Sequence, residues 1–237
     1  MLEYNRTITF GGQVIPARIA STPKIIRATR KMTARQIAGS NREVVEMEKA
    51  WECYEQPYSL FLGDGTEDSV QPLVDAVAAV LYQDGWKVLL DDYEPDYYRL
   101  AYYQGGFEVD NRYTRLGRFD IVFRCRPERF LTAGDTPVNV PSGESINNPT
   151  AFEAKPIIRI TGSGNGTLTV NDTTMSFTDI LDYLVIDCET MNVYRQPSEN
   201  RNSLMTGEFP VLTPGENIIA FTGGINSATI TPKWWTI

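Results

Sequence analysis

The sequence predicts a mainly β protein of two domains with a single helix, and three observations support this prediction. Segments rich in aromatic and β-branched residues, bounded by turn residues, recur along the 237-residue chain, as is typical of short antiparallel strands. One segment alone repeats its apolar residues at helical spacing. Between Thr132 and Pro149 the composition shifts to glycine, proline and asparagine, which indicates a linker or loop between domains 1–140 and 148–237.

The N-terminal domain contains two adjacent blocks of opposite charge. From Tyr4 to Arg42 the chain has eight basic residues and no acidic one. From Glu43 to Asp68 it has eight acidic residues and a single base, Lys49. Two interpretations are open: the blocks pair within one chain as a hairpin, or one block contacts a neighbouring copy head to tail, so that a ring closes.

The single predicted helix covers about residues 70–84. Asp68 and Ser69 offer an N-cap, Pro72 suits the first turn, and Gly85 fits a left-handed stop. The apolar residues recur at steps of three and four, which predicts one buried face; they are Val70, Leu73, Val74, Val77, Val80 and Leu81.

Three strands are predicted after the helix, at 86–90, 97–103 and 118–125. In the last of them the side chains alternate, so that Phe119, Ile121, Phe123 and Cys125 share one face. That face is the expected core. Cys125 is therefore predicted to be a small buried apolar residue and not a nucleophile.

The C-terminal domain is predicted to be an antiparallel β-sandwich. Six short strands are expected at 157–161, 167–170, 184–187, 192–194, 216–222 and 228–231. Turn residues separate them, including the glycine-rich stretches 162–166 and 223–224.

Composition excludes several classes of function. The chain has no histidine, so it cannot use Ser-His or Cys-His nucleophile pairs, and most zinc sites are excluded. A net charge of -8 disfavours binding to nucleic acid or to an anionic membrane. The longest apolar run, Ala76 to Tyr82, is far shorter than a membrane span, and we expect neither a signal peptide nor a bound cofactor.

Four local motifs suggest chemistry, and each has a simpler explanation. Gly162 to Thr167 resembles a phosphate loop but lacks the lysine and the following helix. The acidic stretch 64–68 could hold calcium but also suits the start of a helix. The acidic residues of 91–96 could serve a glycosidase, although they are equally typical of a polar loop. Trp234 and Trp235 could form a partner or sugar patch, since only one of two successive strand residues faces inward.

The order of these features resembles that of the distal tail proteins of siphophages, which are hub components at the tip of long, non-contractile tails. In the first domain the resemblance rests on Phe10-Gly11-Gly12, a β-arm at about 30–62, the single helix, and the strand from Arg118 to Pro127. In the second domain it rests on Asn148-Pro149-Thr150 with the strand that ends at Gly162, on Leu184 to Glu189 with Val193-Tyr194, and on Phe209 to Asn217.

The resemblance implies a structural protein without catalysis, metal or cofactor. Six copies would form a hub ring whose N-terminal domains build the ring, while galectin-like C-terminal sandwiches lie on its outside. The implied partners are the tail tube protein, the tape-measure protein, a tail-associated fibre or lysin protein and receptor-binding components. DNA would only pass through the lumen, and no membrane is involved. The protein would lie at the distal end of the virion tail after synthesis in the bacterial host cytoplasm.

Together with this resemblance, the ordered separation of the two charge blocks predicts that these blocks contribute to contacts between ring subunits. The candidate residues are Arg27, Arg30, Lys31, Arg35, Arg42, Glu43, Glu46, Glu48 and Glu52. The alternative function is a carbohydrate-binding baseplate adhesin that contacts the host surface, with Trp234 and Trp235 as its patch.

Overall fold

The computed structural model describes residues 6–63, 70–113 and 116–237. It confirms the predicted class, since the chain is mainly β and α1 (Gln71–Leu81) is the one α-helix of the described residues. No helix in these ranges has the length and apolar character needed to cross a membrane. The chain divides into two compact units, the first ending at Arg129 and including Ile237, the second covering Phe130–Thr236.

The first unit is built around one sheet with a separate two-stranded ribbon. The sheet has the order β2-β1-β7-β8-β10-β6-β3, with β9 also paired to β10, whereas β4 and β5 pair with each other. The strands are β1 (Ile8–Phe10), β2 (Gln13–Val14), β3 (Arg18–Ile19), β4 (Arg30–Gln36), β5 (Glu43–Trp51), β6 (Tyr54–Leu62), β7 (Lys87–Asp91), β8 (Tyr97–Tyr102), β9 (Asp110–Tyr113) and β10 (Leu116–Leu131).

The core of the first unit lies on one face of β6 and β10. These strands pair antiparallel from Gly117 opposite Leu62 to Cys125 opposite Tyr54. The predicted alternation along β10 is confirmed, because Phe119, Ile121, Phe123 and Cys125 are all buried. The helix packs its Val77, Val80 and Leu81 against the same core.

The helix is shorter than predicted at its C-terminal end. It begins after Val70, with Pro72 in the first turn as expected, whereas the predicted caps Asp68 and Ser69 lie outside the described residues. It stops at Leu81 because the Gln83 side-chain amide donates to the Val80 carbonyl at 2.8 Å and takes the place of a further helical turn. Gly85 has the expected left-handed conformation (φ 75°), but it lies beyond the end of the helix.

The second unit is an antiparallel assembly around three long strands. The order is β11-β17-β13-β14-β15, with β12 paired to β17 and β16 paired to β14. Its strands are β11 (Val138–Val140), β12 (Ser145–Asn148), β13 (Ile157–Val170), β14 (Thr173–Asp187), β15 (Asn192–Tyr194), β16 (Met205–Gly207), β17 (Gly215–Thr231) and β18 (Trp235–Thr236), with 3-10 turns at Thr132–Asp135 and Asn202–Leu204.

The predictions for three stretches of this region were wrong. The stretch from Thr132 to Pro149 is not a linker, because it forms a 3-10 turn and two strands that pair with β17. The glycine-rich stretches 162–166 and 223–224 are not turns either, since they lie inside the continuous strands β13 and β17. A Cβ atom on Gly162 or Gly224 would overlap the backbone of the opposing strand, so these glycines allow the strands to approach closely and shift register without ending.

Candidate functional site: the exposed arm

The ribbon of β4 and β5, here called the arm, is the part of the first unit that carries most of the predicted site residues. Its strands run antiparallel, with Met32 opposite Met47 and Gln36 opposite Glu43. The turn between them is closed by the Ile37 amide, which donates to the Arg42 carbonyl at 3.2 Å, and by Gly39, whose φ is 76°. The ribbon is therefore a well-formed hairpin.

The arm is exposed on both faces. Every residue of β4 is exposed, and so are the first seven residues of β5. Because paired residues share a face, one face carries the apolar side chains of Met32, Ala34, Val45 and Met47. A two-stranded ribbon that buries neither face is only marginally stable alone, and exposed apolar residues on such a ribbon are typical of a contact surface.

The nine predicted site residues lie along the arm and at its base. Arg30, Lys31 and Arg35 are on β4, Arg42 is in the turn, and Glu43, Glu46 and Glu48 are on β5, while Arg27 precedes β4 and Glu52 follows β5. The structure therefore places six of them on the two strands of the arm, one in its turn and two beside its base.

Opposite charges on the two strands of the arm do not form ion pairs with each other among the described residues. The register places Arg35 opposite Val44 and Glu46 opposite Thr33. Among the described residues, no ion pair within 4.0 Å joins the basic side chains of β4 to the acidic side chains of β5. Arg30 instead donates to the backbone carbonyl of Glu48 at 3.0 Å and lies 6.0 Å from the centre of the Trp51 ring. The hairpin of the intrachain interpretation is present, but cross-strand ion pairs do not hold it together.

Two residues of the acidic stretch proposed for glycosidase chemistry, Asp91 and Glu94, form a largely buried ion network, whereas Asp92 and Asp96 are exposed. Asp91 is 5% exposed and accepts a hydrogen bond from the Tyr58 hydroxyl at 2.7 Å. Arg99, itself 4% exposed, lies 3.4 Å from Asp91 and also forms an ion pair with Glu94. Arg129 binds the other oxygen of Glu94 at 2.9 Å.

This network has a structural explanation. Each arginine neutralises a carboxylate that would otherwise be costly to bury. Burial raises the pKa of the Tyr58 hydroxyl, and the Asp91 carboxylate raises it further, so this hydroxyl remains a donor. The sequence carries one signal for the network, namely an arginine, Arg99, in the middle of an aromatic strand.

The tryptophan pair does not form an open platform. Trp234 is buried in the core of the second unit and its carbonyl accepts from the Leu131 amide at 2.9 Å. Trp235 is half-buried, donates from its indole nitrogen to the Glu153 carbonyl at 2.9 Å, and stacks on Phe152 with ring centres 4.5 Å apart.

Of the two remaining candidate motifs, the structure describes the phosphate loop but not the calcium site. The phosphate-loop candidate lies inside β13, where no helix N-terminus can cradle a phosphate. The calcium candidate at 64–68 lies outside the described residues.

Comparison with known proteins gives structural matches only. No family model matches the sequence, and no curated protein matches it. The chain is similar to the SPP1 Dit protein, described as a paradigm of the hub adsorption apparatus in phages that infect Gram-positive bacteria, with a TM-score of 0.76 and 13% identity over 98% of this chain and 99% of that one. It is also similar to a chain of the phage P2 baseplate in its activated conformation with Ca, with a TM-score of 0.53 and 12% identity over 97% of both chains. The fold implied by the resemblance to distal tail proteins is thus confirmed.

Proposed function

We propose that this chain is a structural hub of a phage tail tip, a distal tail protein that forms a six-membered ring around a central channel. The observation that carries the proposal is the fold likeness to a hub adsorption protein over 98% of the chain, which includes both units. A likeness restricted to one domain would fit many unrelated functions, whereas agreement along both units is much more specific.

The arm supports assembly into a ring. Its charged side chains on β4 and β5 lack intrachain ion-pair partners among the described residues, and its apolar face is exposed. Both features favour contact with a second copy, because opposite charges on one surface can meet head to tail in a heterologous interface that closes as a ring.

The proposed partners follow from this role. The first unit builds the ring and contacts the tail tube protein, and the second unit carries a fibre, lysin or receptor-binding component. The channel passes the tape-measure protein and DNA without binding them, which suits a chain with a net charge of -8. In this proposal the protein has no catalytic role and no cofactor, and it lies at the distal end of the virion tail after synthesis in the host cytoplasm.

Electron microscopy tests the proposal directly. Negative-stain images of the purified full chain should show six-fold rings with an open centre, and gold-labelled antibody should mark the tail tip of the phage that encodes it. The proposal fails if label is found elsewhere on the particle or if no ring forms even at high protein concentration. The tryptophan pair gives the adhesin alternative no support, because one ring is buried and the other is stacked on Phe152.

A further inference from the structure

The second unit contains a small pocket beside the edge strand β15. Its volume is about 260 Å³. Its lining is formed by Thr190, Asn192, Tyr194, Pro197, Ser198 and Asn200. None of these residues belongs to the arm or to the tryptophan pair.

Hydrogen bonds from backbone amides fix the walls of the pocket. The Asp187 carboxylate accepts from the amides of Glu189 and Thr190 at 2.9 and 3.1 Å and thereby closes the turn before β15. The chain after β15 folds back, so that the Arg201 amide donates to the Val193 carbonyl at 2.7 Å. Tyr194 and Asn200 face each other across an antiparallel bridge in this returning segment.

One polar side chain of the pocket, that of Asn192, is held in place by hydrogen bonds within the chain. The Asn192 carbonyl oxygen accepts from the side-chain amides of Asn202 and Asn200 at 3.1 and 3.5 Å. This leaves the Asn192 amide nitrogen and the hydroxyls of Tyr194 and Ser198 without hydrogen-bond partners in the part of the chain that the structure describes. Asn192 therefore offers a preorganised donor, and the two hydroxyls can turn toward a polar ligand.

The chemical character of the residues that line the pocket favours one class of ligand. All six lining side chains are neutral, and one of them is aromatic. The carbon-hydrogen face of a sugar ring packs on an aromatic ring, while amide and hydroxyl groups pair with its hydroxyls. The pocket volume of about 260 Å³ lies just below the range of about 300 to 1,000 Å³ that is typical of pockets for drug-sized ligands. A pocket of this size limits the ligand to about one sugar ring.

We infer that this pocket binds one neutral sugar ring, with Tyr194 as the stacking surface and Asn192 as the main hydrogen-bonding group. Burial raises the pKa of the Tyr194 hydroxyl, and Asp187 raises it further, which keeps the hydroxyl protonated as a donor. The inference concerns the second unit alone and goes beyond the proposed hub function, so either can hold without the other.

Saturation-transfer NMR on the full chain tests this inference with glucose, galactose and N-acetylglucosamine as neutral probes and glucuronic acid as a charged comparison. At least one neutral sugar should bind saturably, and Tyr194→Ala should weaken that binding roughly tenfold or more. Tyr194→Phe keeps the ring and should retain most of the affinity. Ser198→Trp, at an exposed position, should fill the pocket and abolish binding without disturbing the core.

Tyr183→Ala is the matched control, because Tyr183 is a half-buried tyrosine of the same unit that does not line the pocket. The centre of its ring lies 3.9 Å from the guanidinium carbon of Arg159. It should leave sugar binding unchanged. The inference is overturned if no neutral sugar binds, if glucuronic acid binds as well as the neutral sugars, or if Ser198→Trp has no effect. Ring formation seen by electron microscopy is scored separately, so a failure here leaves the hub proposal standing.

Discussion

Met32 and Met47 lie directly opposite each other on the two strands of the arm, and their side chains are 59% and 58% exposed. Such a pair would gain free energy by leaving water, yet no residue in the described ranges covers it. The arm therefore combines apolar contact area with charges that have no ion-pair partner among the described residues, and both properties are testable.

We expect Met32→Ser with Met47→Ser to weaken self-association about tenfold or more, because burial of the two side chains in a ring interface would be lost. The melting temperature of the dissociated protein should hardly change, since both residues are exposed. Mass photometry over a dilution series measures the association. Met191→Ser, at an exposed methionine of the second unit (64%), is the control and should leave it intact.

Charge reversal of Arg30, Lys31 and Arg35 to Glu should also reduce the ring population, because two like-charged surfaces would then meet. Light scattering at low and high salt measures this effect, which should shrink as salt screens the repulsion. A variant that also carries Glu43→Lys, Glu46→Lys and Glu48→Lys restores complementarity and should reassemble. A folded triple mutant of unchanged mass would contradict the assignment of the arm to subunit contacts.

Arg99→Met should destabilise the first unit by about 3 to 5 kcal/mol, because it leaves the buried Asp91 carboxylate without its cation. Urea unfolding measures the loss. Arg124→Met is the matched control: this arginine lies 3.9 Å from Glu55 with 39% and 71% of the two side chains exposed, so its loss should cost about 0 to 1 kcal/mol. Equal effects of the two changes would show that the buried network has no special role.

The three thiols should differ in reactivity. Burial raises the pKa of Cys125 and of Cys188 to about 12, whereas Cys53 is half-buried. A thiol reagent at pH 8 should therefore modify Cys53 first and the other two only on unfolding. Rapid labelling of all three in the native protein would contradict this.

The same shifts predict a loss of stability in alkali. The folded protein holds the two thiol protons more tightly than the unfolded chain does, so this contribution is fully present below the ordinary thiol pKa of about 8.5. It falls as the pH rises toward 12. Urea unfolding at pH 8 and pH 10.5 should show a smaller decrease for Cys125→Ala than for the unchanged chain.

Side-chain alternation was the most reliable signal in the sequence. It predicted the buried face of β10 because period-two patterning follows directly from strand geometry. Glycine was the least reliable signal: Gly162 and Gly224 suggested turns, but they permit a close backbone approach whose partner lies more than sixty residues away. The end of the helix depended on the side chain of Gln83, and propensity alone could not predict that contact.

The site was predictable only in part. The order of charges indicated the arm, but the absence of cross-strand ion pairs depends on register, which the sequence did not reveal. The buried arginines were missed because arginine is usually exposed, so the position of Arg99 inside an aromatic strand does not by itself reveal its carboxylate partners. The pocket at Tyr194 was also missed, since it requires the segment after β15 to fold back on it.

The strand order of the second unit has a consequence for biosynthesis. β17 pairs with β13, β11 and β12, so a strand that is translated after β11 to β16 occupies an interior position of the sheet. Until it emerges, one edge of β13 has no neighbour and remains open to other nascent chains. The second unit can therefore complete its fold only after β17 has been translated, and chains truncated before Gly215 would be prone to aggregate.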